Sequence, residues 1–292
     1  MPWLQIHLTT DKTRAPLMEL LLESLGALSV TLGDAADEAL LEPAPGELPL
    51  WQRTRVTGLF SGETDPDWLR GEINRTLQAD ACKAMRLEVL QDRQWERTWL
   101  EDFHPMQFGD SLWICPDGQR PEETKGVFID LDPGLAFGSG THPTTALCLR
   151  WLARQDLAGI QAMDFGCGSG ILAVAALRLG AAQVVAVDHD PQALEATRDN
   201  ARKNGVLDRM QILPSEATPE LQLELMIANI LAGTLIELEP LLAARTKTGG
   251  RIILSGLLVP QATEVADAYS GHFRMQPPEI EGDWALLEGF RR

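Results

Sequence analysis

M-D-F-G-C-G-S-G, residues Met163–Gly170, follows a short apolar segment, Ile160–Met163, and precedes the almost wholly apolar run I-L-A-V-A-A-L-R-L. The apolar segment reads as a strand and the run behind it as a buried helix. Between them stand an acid, Asp164, and glycines at alternate positions, Gly166, Gly168 and Gly170. Strand, glycine turn and buried helix form the first half of a doubly wound nucleotide-binding unit. Glycine lets the backbone turn sharply and approach a ligand with no Cβ in the way. The helix start behind it offers free N–H groups.

The spacing narrows the ligand. A dinucleotide fingerprint places its third glycine three residues after the second and seats a pyrophosphate. Here the third glycine comes two residues after the second, and Asp164 precedes the run. A carboxylate at that point repels a pyrophosphate and suits a ligand with an ammonium group and no phosphate. S-adenosylmethionine (SAM) is such a ligand: a sulfonium, an amino acid end, a ribose and an adenine. A tight turn without a ligand is the plainer alternative, and the acids around the turn weigh against it.

The chain has 292 residues, with 45% hydrophobic and 23% charged content, which suits one large or two ordinary globular domains. No apolar run approaches the length that spans a bilayer. The start, M-P-W-L-Q-I-H-L, alternates apolar and polar residues and lacks the pattern of a signal peptide. The expectation is a cytoplasmic protein without a membrane partner. The four cysteines, Cys82, Cys115, Cys148 and Cys167, show no C-x-x-C spacing, so no metal site is expected. Cys167 reads as a small residue that fits the turn. The net charge of −17 argues against DNA or an RNA backbone and suits a basic protein partner.

Along the first third, strands are expected at Trp3–Thr9, Ala27–Leu32, Thr54–Phe60 and Met85–Leu90, with helices at Asp11–Gly26 and Asp65–Gln78. The order β-α-β-β-α-β is that of a small ferredoxin-like sandwich. It carries no catalytic constellation, and a small sandwich of this kind is commonly a binding module, though fold alone does not fix function. Residues 1–92 are assigned to it. Residues 93–104 read as a Trp-rich linker helix, with Trp95 and Trp99 on one face and a stop at His104-Pro105. Residues 105–292 form the nucleotide-binding domain.

That domain is expected to open with strands at Gln107–Cys115 and Val127–Leu131. The glycine-rich segment Asp132–Thr145 then leads to a helix opened by Pro143. Its position just upstream of the turn, and the lone Phe137 among glycines, suggest a lid. His142 reads as a helix cap in preference to an acid or base. Gln183–Val187 is a second strand ending in Asp188, where a carboxylate accepts the ribose hydroxyls. Asp190 caps the next helix. Glu216, after the strand Met210–Leu213, stands where an adenine amino group is expected. Leu223–Ala228 is a fourth strand with Asn229 at its end. Asp164, Asp188 and Asn229 therefore converge on one sheet edge. A helix at Gly233–Ala244, a strand at Arg251–Ser255, a helix from Pro260 and a strand pair, Phe273–Pro277 and Trp284–Gly289, complete a class I SAM-dependent methyltransferase Rossmann-like domain. Its sheet is mostly parallel with a C-terminal antiparallel strand.

Three segments together resemble the ribosomal protein L11 methyltransferases, the PrmA family: D-P-G-L-A-F-G-S-G-T-H-P-T-T (Asp132–Thr145), D-F-G-C-G-S-G-I-L (Asp164–Leu172) and A-N-I-L-A-G (Ala228–Gly233). The M-P-W start and the W-x-x-x-W-L-E-D-F-H-P linker extend the likeness along the whole chain. Ser139 stands where the family pattern has threonine, so a hydroxyl is kept. The resemblance implies repeated methyl transfer from SAM, with S-adenosylhomocysteine as product. The acceptors it implies are lysine ε-amino groups and the N-terminal α-amine of ribosomal protein L11, free of the ribosome. It implies that the small domain recognises the substrate and that the linker lets it reposition. It maps SAM contacts to Thr145, Gly166, Asp188 and Asn229. Gly168 and Asp164 join them on the reading of the turn.

No carboxylate–histidine pair is evident to deprotonate an amine. Asn229, through its side-chain carbonyl, is therefore the candidate catalytic group that holds a neutral amine. The alternative is the same chemistry on another protein, RNA or a small molecule. A-N-I-L carries no aromatic to stack a planar acceptor, which favours a flexible amine.

Overall fold

The computed structural model describes residues 3–36, 50–77, 85–90, 104–116, 119–121, 125–131 and 140–292. The chain divides into two compact units, Met1–Thr98 and Trp99–Arg292. The expected linker helix, with Trp95 and Trp99, and the segment around Phe137 and Ser139 lie outside the described residues, as does Cys82.

The first unit runs β1 (Trp3–Asp11), α1 (Ala15–Ser24), β2 (Ser29–Asp34), β3 (Arg53–Ser61), α2 (Pro66–Thr76) and β4 (Arg86–Leu90). All pairings are antiparallel, in the order β2-β3-β1-β4. Alternation decides which face is covered. Leu4, Ile6 and Leu8 of β1 and Val56 and Phe60 of β3 turn inward onto Met18, Leu22, Leu69 and Ile73 of the helices. The first helix begins later than the expected Asp11. That residue ends β1, and its carboxylate instead accepts the backbone N–H groups of Thr13 and Arg14 at 3.0 and 3.1 Å. Asp65 caps α2 by accepting from Asp67 N at 2.9 Å.

The second unit opens with β5 (Met106–Phe108), β6 (Leu112–Pro116) and β7 (Val127–Leu131), a small separate sheet. The single strand expected over Gln107–Cys115 is corrected here. Gly109, at φ +62°, turns the chain and folds the segment into a hairpin. Then follow α3 (Pro143–Ala153), β8 (Gln161–Phe165), α4 (Ile171–Arg178), β9 (Gln183–Asp188), α5 (Pro191–Lys203), β10 (Met210–Pro214), β11 (Leu223–Asn229), α6 (Ala232–Arg245), β12 (Thr246–Leu258), α7 (Ala262–Tyr269), β13 (Phe273–Met275), β14 (Glu279–Glu281) and β15 (Trp284–Arg291).

The main sheet has the order β10-β9-β8-β11-β12-β15-β13, with β14 beside β15. Strands β8 to β12 pair in parallel, and β15 runs antiparallel between β12 and β13. The sequence shows why both faces are covered. Along β8 and β9, Ala162, Val184 and Ala186 face one core, while Met163, Val185 and Val187 face the other. Strands apolar on both phases belong to a sheet with helices on both sides. Helices α3, α4 and α5 cover one face through Leu149, Ala173 and Ala201. Helices α6 and α7 cover the other through Leu235, Leu242 and Val265. Among the described residues no helix is long and apolar enough to cross a membrane.

Candidate functional site

Parallel strands in register end together. Phe165 of β8 lies opposite Val187 and Ala228, and Asn229 of β11 lies opposite Ser255 of β12. The residues that follow or end these rungs, Gly166, Asp188, Asn229 and Gly256, therefore share one sheet edge. They line a cavity of about 480 Å³, within the size of small-molecule sites. Ile230, Leu231, Thr234 and Leu238 from the β11–α6 region add a largely apolar wall, and His142, Thr144 and Trp284 complete the lining that bears on the chemistry.

The glycine turn is built from backbone conformations that only glycine adopts at little cost. Gly166, Gly168 and Gly170 have φ of +76°, +55° and +76°. The N–H groups of Gly166 and Cys167 donate to Val187 O at 2.8 and 3.0 Å, which ties the turn to β9. A Cβ on Gly166 would stand 2.3 Å from Ile230 Cγ2. Gly256, at φ +84°, would bring its Cβ to 2.4 Å from Ile230 O. Both glycines thus allow the Ile230 segment to close over the turn.

Asp188 is buried. Its Oδ2 accepts from Gly168 N at 2.9 Å and its Oδ1 from Asp190 N at 3.0 Å. His189 Nδ1, also in the lining, lies 3.4 Å from Oδ1, and a carboxylate oxygen accepts more than one hydrogen bond, the capacity a pair of ribose hydroxyls needs. Asp190 caps α5 through Gln192 N at 2.9 Å, as its sequence context predicts.

Asn229 lines the cavity with its amide already oriented. Its Nδ2 donates to Thr145 Oγ1 at 3.3 Å, and its Oδ1 is buried with no partner among the described residues. Thr145 is itself buried and, among the described residues, is absent from the lining. It bonds to Asn229, while its neighbour Thr144 lines the wall directly. Ser255 Oγ faces Thr144 O at 3.3 Å and Ala285 O at 3.1 Å, joining β12, α3 and the start of β15.

Asp164 stands elsewhere than its expected place against an ammonium. It is 1% exposed and outside the cavity lining. One oxygen accepts Ala173 N at 3.0 Å, so the carboxylate grips the first turn of α4 from behind, and the other has no partner among the described residues. Burial pushes its pKa up to about 7, opposed by the Ala173 hydrogen bond and reinforced by the charge on Asp188. Its ordinary value is 3.8. Between about pH 4 and pH 7 the folded chain thus holds a proton that the unfolded chain has released, and stability falls as pH rises through that window. Above about pH 7 this contribution has gone and the dependence is flat. Asp164→Asn keeps the shape and cannot titrate. It is expected to remove this slope from unfolding free energies measured by denaturant titration between about pH 5 and pH 8. An unchanged slope would assign it to another group.

His142 caps α3, its Nδ1 accepting from Thr144 N at 3.4 Å. Its ring meets Trp284 edge-on, with centroids 4.7 Å apart. Burial lowers its pKa, which favours the neutral ring. Burial raises the Cys167 thiol well beyond the ordinary range, so it is protonated and inert as a nucleophile. Glu216 lies in a short 3-10 turn outside the lining, and Ser215 beside it lines the cavity. Among the described residues no group of acids, histidines and cysteines is arranged to hold a metal.

Sequence reasoning missed Trp284, Ile230, Thr144 and Gly256. Gly256 carried a readable signal, a glycine shortly after the apolar run Ile252–Leu254. Trp284 carried none, because the first residue of a strand has no signature of its own.

A seven-strand path with one antiparallel strand, a glycine turn after its first parallel strand and an acid after its second define a class I SAM-dependent methyltransferase. Residues 2–292 match the family model of ribosomal protein L11 methyltransferase (PrmA). The ribosomal protein L11 methyltransferase of Hahella chejuensis is 52% identical over 291 residues, covering 100% of this chain and 99% of that protein. That of Marinobacter nauticus is 49% identical over 296 residues, covering 100% and 99%. The crystal structure of ribosomal protein L11 methylase from Lactobacillus delbrueckii subsp. bulgaricus is 32% identical, with a TM-score of 0.59, over 65% of this chain and 100% of that one. The chain belongs to the ribosomal protein L11 methyltransferase (PrmA) family and is a SAM-dependent methyltransferase.

Proposed function

We propose that the enzyme methylates ribosomal protein L11 on lysine ε-amino groups and on the N-terminal α-amine, working on the free protein in the cytoplasm without a metal, DNA or membrane partner. Residues 1–92 recognise the substrate, 93–104 join them to the catalytic domain, and 105–292 carry the chemistry. The observation that carries the choice of an amine is Asn229 in the apolar cavity lining, its Oδ1 buried and unpartnered among the described residues. The net charge of −17 suits a basic protein.

SAM supplies the methyl group on a sulfonium that already leaves well. The chain's own task is then to bind, orient and desolvate. Asp188 accepts the ribose hydroxyls, and the backbone at Gly166 and Gly168 gives the amino acid end room for close approach. Asp164 acts from behind, holding α4 to the turn. Ile230, Leu231, Leu238 and Trp284 surround the acceptor with apolar surface, which penalises the ammonium form and favours the neutral amine. Asn229 Oδ1 accepts an amine N–H and so directs the nitrogen lone pair. Thr145 keeps that amide from rotating away.

The test is incubation of labelled SAM with bulk ribosomal protein from cells lacking this activity. Label is expected in one protein band, identified as L11, at lysine and N-terminal residues. Label in RNA, or in a different band, would overturn the assignment of substrate.

A further inference from the structure

The glycine turn is pinned by more than its own backbone. Thr197 and Asn200 lie three residues apart on α5, both buried. Thr197 Oγ1 donates to Gly168 O at 3.0 Å, and Asn200 Nδ2 donates to Ser169 O at 2.9 Å. On the other side Gly168 N donates to Asp188 Oδ2 at 2.9 Å. Three successive peptide units, 167–168, 168–169 and 169–170, are thus each held by a different side chain.

The proton inventory fits one arrangement. The single hydroxyl hydrogen of Thr197 goes to Gly168 O, so Cys167 Sγ, 3.3 Å away, donates to Thr197 Oγ1. The protonated thiol described above agrees with this. A helical threonine commonly bonds back to its own preceding turn. Thr197 instead reaches across to another element. The segment it reaches is the one whose glycines leave its peptide planes least restrained.

We infer that Thr197 and Asn200 are positioning residues for the SAM site, acting through the Gly168 and Ser169 carbonyls to hold the turn in the form that aims the Asp188 carboxylate. Neither residue is part of the cavity lining. The inference rests on Asp188 and the glycine turn being the SAM contacts. The row of polar side chains on α5 is therefore part of cofactor affinity, although it stands on the far side of the turn from the cavity.

Thr197→Val keeps the shape and removes the hydroxyl, whereas Thr197→Ser keeps the hydroxyl and removes the methyl group. Calorimetry with SAM and with S-adenosylhomocysteine, kcat at saturating SAM, and a thermal melt separate the roles. Thr197→Val is expected to weaken both ligands about tenfold. In the same variant, kcat at saturating SAM and the KM for the acceptor stay within about threefold of the parent. Thr197→Ser is expected to restore affinity to within about twofold. Asn200→Ala, tested independently, is expected to weaken both ligands several-fold. A role in packing alone reverses the order, with serine the weaker binder, and that result would overturn the inference. So would unchanged affinity in both Thr197→Val and Asn200→Ala. Asp188→Ala serves as the reference: if it binds SAM as the parent does, the site reading itself fails and the inference falls with it. If it binds weakly while the α5 variants bind normally, only the inference fails.

Discussion

Asn229→Ala is expected to lower kcat about 10²-fold or more while SAM affinity stays within a few-fold of the parent. The first half of this expectation follows from geometry. The Asn229 carbonyl is the one cavity-lining side-chain acceptor left buried and unpartnered among the described residues, and its amide is locked by Thr145 at 3.3 Å. Without it, an amine in the apolar cavity has nothing to direct its lone pair, and misplacement by about an ångström can cost about 10²-fold in rate. The second half follows because the ribose carboxylate and the glycine turn are untouched. Single-turnover rates with labelled SAM and calorimetry of the same variant separate the two quantities. A normal rate would remove Asn229 from the chemistry. Thr145→Val, which frees the amide without deleting it, should fall between the parent and Asn229→Ala.

Asp188→Ala acts on the other quantity. Its carboxylate accepts Gly168 N and Asp190 N, and the proposed function gives it a second task, accepting the ribose hydroxyls. Loss of charged hydrogen bonds is worth about 1.5–3 kcal/mol, so SAM should bind about 10- to 150-fold more weakly. Truncation also leaves the Gly168 N–H without its partner, and the turn is expected to loosen with the loss of affinity. Asp188→Asn separates the two tasks. Its carbonyl can serve one backbone N–H, but its amide nitrogen cannot accept from a hydroxyl. Affinity unchanged in Asp188→Ala would place the ribose elsewhere.

Much of the site was readable because strands that end together announce it. A run of apolar residues closed by one polar residue marks the end of a buried strand, and Asp188 and Asn229 were found that way. Alternate glycines behind such a strand marked the turn. What stayed hidden was made by contacts between distant segments. Thr145 reads in sequence only as part of a loop, with a SAM contact implied by the family resemblance, and its bond to Asn229 spans 84 residues. Ser255 meets Thr144 across 111 residues. Asp164 precedes the glycines by only two positions, but the alternation of β8 turns it away from the cavity and under α4. The hairpin at Gly109 was missed for a different reason. One glycine in an otherwise strand-like run is a weak mark, and here it takes a positive φ that divides the run.

The antiparallel strand has a consequence for how the enzyme comes into being. Strand β15 lies between β12 and β13, and among the described residues β13 has no other neighbour in the sheet. During synthesis, β13 must wait unpaired until residues 284–291 have been made. The same late segment delivers Trp284 to the cavity and offers Ala285 O to Ser255. A nascent chain that has already formed the glycine turn and its neighbouring strands therefore lacks the cavity wall to which Trp284 belongs. The wall formed by the glycine turn, Asp188 and Asn229 can mature first, and the wall that holds Trp284 is completed only once β15 has been made.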